Sequence, residues 1–109
     1  MLIRTVRMTF DPARVPDFLA LFAHAAPRIR AADGCTHLVL WQDAAFPNVL
    51  TTYSVWTGPD ALEAYRRSAL FSETWARTKP LFAAPPVAHS QAVLTGPDAP
   101  ALRARGGAP

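Results

Sequence analysis

The sequence has little of what would indicate secretion, a membrane span or a metal site. Its 109 residues contain one cysteine, Cys35, so the chain cannot form an internal disulfide, and we expect a cytoplasmic protein. No apolar run approaches the ~20 residues needed to cross a bilayer, and the first ten residues lack the pattern of a signal peptide. The three histidines have no metal-ligand spacing. We therefore predict no membrane association and no metal site.

Charge is modest as well. Only 17% of the residues are charged and the formal net charge is +3, which we interpret as a solubility property and not as a nucleic-acid footprint. Half of the residues are hydrophobic, a content that excludes disorder driven by composition. A chain of this length makes one domain, which we assign to residues 1–95. Residues 96–109 are mostly small and rich in proline and glycine, so we predict a tail that is flexible or lies on a partner.

What the sequence does contain is a pair of predicted strands, 35–42 and 49–56, joined by a turn with Asp, Pro and Asn. The first strand is largely apolar and the second is rich in β-branched and aromatic residues, which suit a pleated sheet. An antiparallel sheet with one face in water alternates apolar and polar residues, whereas neither strand has a charged face. We therefore predict that both faces of this hairpin are covered. The pattern leaves open which face meets the helices.

The segment before the hairpin predicts a strand and a helix. Residues 2–10 read as a strand, and Asp11 followed by Pro12 marks the start of a helix that carries an apolar stripe. Proline inside a helix removes a hydrogen bond, so we expect a kink or a break at Pro27. Gly34 can adopt the left-handed conformation that ends a helix.

A second helical region follows the hairpin. Pro59 suits a first helical position, Ser68 predicts a second N-cap, and Pro80 ends regular helix. Residues 87–94 then predict the last strand. The order β-α-β-β-α-β predicts a ferredoxin-like α+β plait, in which a four-stranded antiparallel sheet carries its helices on one face. Because most soluble oligomers are symmetric homodimers, a second copy of the chain is the simplest cover for the other face.

His37 is the titratable residue of most interest. It lies in the middle of a predicted strand beside Trp41 and Tyr53, where an imidazole could accept a proton near neutral pH. The alternative is a core or interface histidine that donates to one backbone carbonyl. Arg7 and Lys79 could stabilise an enolate or a phenolate, or could be solvated or salt-bridged.

Aromatic residues are the remaining signal, and the relevant ones are Tyr53, Trp56, Tyr65, Phe71, Trp75 and Phe82. Aromatic side chains at helical spacing are typical of a plain core. The polar tips of tyrosine and tryptophan nevertheless need partners when buried, and a flat aromatic ligand between the sheet and the second helix would use them. The sequence leaves both interpretations open.

Four segments together resemble the antibiotic biosynthesis monooxygenase (ABM) domain family: IRTVRMTF, GCTHLVLWQD, TYSVW and ALEAYRRSALFSETWARTKPLF. The similarity spans residues 1–95. The resemblance implies a dimeric α+β barrel with a pocket between each sheet and its second helix. It also implies oxygenation of quinols or aromatic polyketides by dioxygen without metal, flavin or other cofactor, because the substrate anion itself reduces oxygen and the protein binds and desolvates it.

Departures from the family pattern narrow that expectation. Haem-degrading relatives carry a histidine on the second helix near the place of Trp75, a tryptophan near the place of Tyr65, and an asparagine on the first strand. The only asparagine of this chain is Asn48, in the hairpin loop, which disfavours haem degradation. The polar pocket residues of polyketide oxygenases are not clearly matched either.

The leading hypothesis is a cofactor-independent oxygenase-like enzyme for a small aromatic phenol or quinol. His37 is the candidate base, Arg7 is the candidate anion stabiliser, and the candidate substrate-binding residues are Tyr53, Tyr65, Phe71, Trp75 and Phe82. The alternative is a non-catalytic homodimer that sequesters a hydrophobic small molecule. A nucleic-acid binder of the RNA-recognition type shares the element order, but the segment VLTTYSVW lacks the required basic-glycine-aromatic signature.

Overall fold

The computed structural model describes residues 1–96, which form a four-stranded antiparallel sheet with helices on one face. The strands are β1 (Leu2–Thr9), β2 (Cys35–Gln42), β3 (Val49–Trp56) and β4 (Val87–Gln91). The helices are α1 (Val15–Arg30), α2 (Pro59–Arg66) and α3 (Ala69–Thr78), with short 3-10 turns at Pro12–Arg14 and Lys79–Leu81.

The strand order confirms the predicted ferredoxin-like α+β fold. The order is β2-β3-β1-β4, and every neighbouring pair is antiparallel. The last strand ends at Gln91 and is therefore shorter than the predicted 87–94. Of the predicted tail, 96–109, only Gly96 is among the described residues.

The two faces of this sheet have different surroundings. The face that meets the helices, which we call the inner face, carries Met8, Leu38 and Leu50, each at most 5% exposed. The strand pairing places Arg4 opposite Ser54 on this face. The opposite face, which we call the outer face, carries Arg7, His37, Trp41, Thr51 and Tyr53. The structure thus decides the question that strand alternation left open.

Local capping agrees with the sequence at the start of α1 but not near its end. The Asp11 carboxylate accepts a hydrogen bond from the Ala13 N–H at 3.0 Å, which starts the 3-10 turn before the helix. Of the kink or break expected at Pro27, the break does not occur, since the helix continues to Arg30. Proline removes a single N–H, and the helix closes beyond it because the Ala31 N–H donates to the Pro27 carbonyl at 3.2 Å.

Gly34 joins α1 to β2 in the predicted left-handed conformation, with φ +81°. It also lies so close to α2 that a Cβ at this position would collide with the Cβ of Ala61 and would lie 2.8 Å from the Thr57 hydroxyl. The Thr57 N–H donates to the Gly34 carbonyl at 2.8 Å. Gly34 therefore allows the loop after α1 to pack closely against the start of α2.

The hydrophobic core consists of two clusters between the inner face and the helices. The first cluster contains Met8, Phe10, Phe18, Leu50 and Leu81. The second contains Ala25, Ala26, Ile29 and Leu38. Residues of both clusters also line a cavity beside α2 and α3, so core packing and the candidate site share the same inner face.

Candidate functional site

A cavity of about 330 Å³ lies between the inner face of the sheet and the helices. Its sheet side includes Arg4, Thr52 and Ser54, and α1 contributes Phe18 and Phe22. The volume is at the lower end of the range for small-molecule sites, and the lining is mainly apolar with a few polar groups. A space of this kind can hold a small, flat ligand.

An aromatic wall closes one side of the cavity. Trp56 stacks on Tyr65 with ring centroids 5.0 Å apart. Tyr65 meets Phe71 edge-on at 5.4 Å, and Phe71 stacks on Trp75 at 5.9 Å. These four residues, which we call the aromatic wall, all line the cavity. They come from β3, α2 and α3, so the wall joins the sheet to both helices.

Ser68 lies between α2 and α3 and caps the start of α3. Its hydroxyl donates to the Tyr65 carbonyl at 2.6 Å and accepts from the Phe71 N–H at 3.2 Å. The predicted second N-cap is therefore confirmed. The cap matters for the site because it turns the chain between Tyr65 and Phe71, so that rings from two helices reach one cavity.

The two polar groups of the aromatic wall are the indole N–H of Trp56, which is hydrogen-bonded, and the hydroxyl of Tyr65, whose pKa is raised by burial. Trp56 is 1% exposed, and its Nε1–H donates to the Ser54 hydroxyl at 3.0 Å. That hydroxyl donates in turn to the Arg4 carbonyl at 3.3 Å. Burial, with a smaller contribution from the charge of Cys35, raises the pKa of Tyr65 to about 12. Tyr65 therefore carries a neutral hydroxyl at physiological pH and can donate a hydrogen bond.

Two guanidinium groups supply positive charge to the cavity. Arg4 is partly buried and its Nη1 donates to the Ser90 hydroxyl at 3.0 Å. Burial and, to a lesser extent, the charge of Arg66 lower the pKa of Arg4 from its ordinary value, so an anion beside it would be stabilised. No carboxylate of the described residues forms a salt bridge with Arg4, whereas Arg66 lies 3.9 Å from the Glu63 carboxylate.

The structure brings together only part of the predicted site. Tyr65, Phe71 and Trp75 line the cavity, and their role in substrate binding stays a prediction. Phe82 lies behind Trp75, with ring centroids 5.6 Å apart, and packs against the first core cluster. Phe82 therefore supports the aromatic wall from the core side.

The other three predicted site residues lie on the outer face. His37 meets Tyr53 edge-on at 5.9 Å, and Arg7 pairs with Thr51 in the sheet. The structure therefore does not bring His37, Arg7 and Tyr53 together with the residues that line the cavity. The physical reason is the two-residue period of a strand, which sends Arg4 and Arg7 to opposite faces of β1.

Sequence reasoning missed Arg4 and Arg66 as site residues. A signal for Arg4 was present, because it shares a strand face with Val6 and Met8, and a charge within an apolar face needs a partner or a function. Arg66 carries no such signal. A basic residue in the last turn of a helix is common, since it complements the helix dipole on a solvent-exposed side.

Residues 1–96 contain neither a metal-binding cluster nor a membrane-spanning helix. No group of three His, Cys, Asp or Glu side chains is placed to hold a metal ion in this part of the chain. None of its helices is long and apolar enough to cross a membrane. Cofactor independence itself stays a prediction of the family resemblance.

The sequence matches a known protein family. A family model described as antibiotic biosynthesis monooxygenase matches residues 1–77, which run from β1 into α3. The chain belongs to the antibiotic biosynthesis monooxygenase family. The ABM match includes Arg4, Arg66 and the whole aromatic wall, so the main features of the cavity lie within it. Among curated proteins, none matches the chain.

Solved structures share the fold. Rv0793 from Mycobacterium tuberculosis is 22% identical, with a TM-score of 0.82 over 89% of this chain and 98% of that one. A conserved protein from Methanosarcina mazei Go1 is 21% identical, with a TM-score of 0.79 over 84% and 91%. A protein described as an antibiotic biosynthesis monooxygenase is 15% identical, with a TM-score of 0.82 over 87% and 100%. At these identities the likeness establishes the fold alone. It does not identify a substrate.

Proposed function

We propose that this ABM protein is a cofactor-independent monooxygenase that acts on a small aromatic phenol, quinol or polyketide-like substrate. The substrate would bind in the cavity between the sheet and helices α2 and α3. The observation that carries the proposal is the presence of the aromatic wall and two guanidinium groups in one cavity. Family membership supports the oxygenase chemistry.

The aromatic wall suits a flat ring, because aromatic groups favour offset-stacked or edge-to-face contacts with one another. Arg4 and Arg66 would stabilise an oxyanion on that ring, and the exclusion of water would strengthen the interaction. An electron-rich oxyanion can then reduce dioxygen directly. For a quinol the reaction balances as quinol plus dioxygen giving hydroxyquinone plus water, with one oxygen atom entering the ring.

A second copy of the chain is the proposed cover of the outer face. Trp41 is 51% exposed and stacks on the partly buried Tyr53. Val87 is 48% exposed and lies on the same face, on β4 next to Arg7. Large apolar side chains exposed on one surface mark an interaction site, and symmetric homodimers are common among soluble proteins. His37 and Arg7 would then be interface residues.

Oxygen uptake with a panel of hydroquinones, with and without electron-withdrawing substituents, tests the proposed activity. We expect uptake with at least one compound, and mass spectrometry should find one atom of heavy-isotope dioxygen in the product. Thr74→Trp should abolish uptake, because Thr74 lines the cavity and the larger side chain would fill it. Arg67→Met is the control, since the side chain of Arg67 is 77% exposed.

Two results would contradict this proposal. The first is no uptake on any member of the panel, and the second is uptake that Thr74→Trp leaves unchanged. Binding of a hydroquinone without turnover would instead identify a non-catalytic binding protein.

A further inference from the structure

The ionisable side chains that line the cavity in the described part of the chain are two arginines and one tyrosine. Arg4 and Arg66 are cations at physiological pH, and Tyr65 is neutral there because its pKa is raised to about 12. All three can donate hydrogen bonds. The cavity is therefore better suited to receive negative charge than to take up a proton.

Arg4 is the stronger candidate for direct contact with an anion. It comes from β1, at the centre of the sheet, and the Ser90 hydroxyl accepts from its Nη1 at 3.0 Å. A guanidinium has five N–H donors, so donors remain for a ligand. Arg66 is more exposed and lies 3.9 Å from the Glu63 carboxylate, which offsets part of its charge. An anion in contact with Arg4 would also relieve the repulsion between the two arginines.

We propose that the cavity selects a ligand that is already ionised, with an oxyanion on an aromatic or enolic ring held by Arg4 and supported by Arg66. This inference rests on the proposed function for its site, and it names the substrate class. Phenols with an electron-withdrawing substituent, hydroxyquinones and cyclic 1,3-diketones belong to this class because they ionise near neutral pH. A ligand that stays neutral would leave Arg4 partly desolvated without a counter-charge.

None of the side chains named around the site changes its charge near neutral pH, so a change of charge there must come from the ligand. From β1, β4 and α2 the site is faced by Arg4, Ser90, Tyr65 and Arg66, with Glu63 beside Arg66. The other elements contribute side chains that do not ionise, among them Phe22, Leu38, Thr52, Phe71 and Trp75. Burial raises the pKa of the Cys35 thiol near Tyr65, so this thiol is neutral at physiological pH. Binding should therefore follow the ionisation of the ligand.

The probe 4-nitrophenol tests this directly, because its phenolate absorbs visible light and its neutral form does not. The full chain is titrated with 4-nitrophenol across pH, and 4-nitroanisole serves as a neutral probe of similar shape. We expect the wild type to bind the phenolate at least about tenfold more tightly than 4-nitroanisole. We also expect the pKa of bound 4-nitrophenol to fall by about one unit.

Arg4→Met should remove most of the preference for the phenolate, because it should weaken phenolate binding and should not weaken the binding of 4-nitroanisole. Arg67→Met is the matched control, because Arg67 lies next to Arg66 and contacts the same Glu63 but does not line the cavity. It should behave as the wild type. Arg4→Lys should retain part of the preference, since lysine keeps the charge and loses the planar fork of donors. Circular dichroism and thermal unfolding check the fold of each variant.

Equal affinity of the wild type for the two probes, or an unshifted pKa of bound 4-nitrophenol, would overturn the inference without recourse to a variant. So would a phenolate preference that Arg4→Met leaves intact, or binding of neither probe. The absorbance measurement does not depend on oxygen consumption. A phenolate preference without uptake on any substrate would therefore retain the anion site and refute the proposed oxygenase.

Discussion

The inner and outer faces of the sheet are made by alternate residues of the same strands, yet their side chains have different environments. On the inner face, Trp56 is 1% exposed and donates to the Ser54 hydroxyl. On the outer face, Trp41 is 51% exposed and stacks on Tyr53 with ring centroids 4.9 Å apart. The first tryptophan belongs to a cavity wall, and the second belongs to a surface that another copy of the chain could cover.

The same contrast holds for the two arginines of β1. Arg4 lies under the helices, where burial lowers its pKa and where a charge acts strongly on a bound anion. Arg7 lies on the outer face, where water and salt screen a charge in the free chain. The comparison shows that two residues of the same type differ in how strongly their charges act, because one is partly buried and the other is exposed to water.

The largest expected difference between the faces concerns stability. Leu50→Ala should lower the free energy of unfolding by about 2–5 kcal/mol, because Leu50 is 1% exposed in the first core cluster. Thr51→Ala, one residue further on and on the outer face, should change it by less than about 1 kcal/mol. Urea denaturation followed by circular dichroism measures both. Similar losses for the two variants would abolish the distinction.

Alkaline pH should destabilise the inner face through Tyr65. Its pKa is raised from 10.0 to about 12 in the fold, so its contribution to stability is complete below pH 10 and is lost as the pH rises through about 12. The expected loss is about 2–3 kcal/mol. Urea denaturation across this range should show a smaller loss for Tyr65→Phe than for the wild type. The outer-face control Tyr53→Phe should follow the wild type, and the opposite pattern would make this assignment wrong.

Self-association should depend on the outer face. Trp41→Ala should weaken the proposed homodimer about tenfold or more, because exposed tryptophans are frequent interface anchors. Sedimentation equilibrium measures the dissociation constant. Phe46→Ala is the control, since Phe46 is 63% exposed but lies in the hairpin loop and not on a strand. A wild type that stays monomeric would contradict the homodimer itself.

The smallest expected effect is that of His37→Ala on oxygen uptake. Because His37 lies on the outer face, its removal should leave the rate of uptake within about twofold, whereas loss of a general base would lower the rate by about 10²–10⁴. A loss of that larger size would assign His37 to the chemistry and would require the dimer to bring it to a site. Gel filtration of the variant separates such a loss from dissociation.

Much of the fold could be predicted because its signals are local. The hairpin strands were predicted with the bounds observed, since strand patterning and turn residues are read from neighbouring positions. The Asp43 carboxylate accepts from the Ala45 and Phe46 N–H groups, both at 2.9 Å, as the turn composition suggested. The absence of a break at Pro27 could not be read in this way, because the tolerance of a helix for proline depends on where the helix ends. About half of the candidate site could also be suggested from the sequence, since Tyr65 and Trp75 form part of an aromatic pattern on one helical region.

The sequence by itself determined the order of the elements, the cap at Ser68 and the turn at Gly34. Only the tertiary structure decided that Arg4 and Arg66, distant in the chain, approach one cavity while His37 and Arg7 face away from it. Strand alternation divides residues into two sets, but it does not say which set the helices cover. That choice depends on the burial of apolar surface by elements distant in sequence, and it alone decides which set of side chains lines the cavity and which lies on the opposite face.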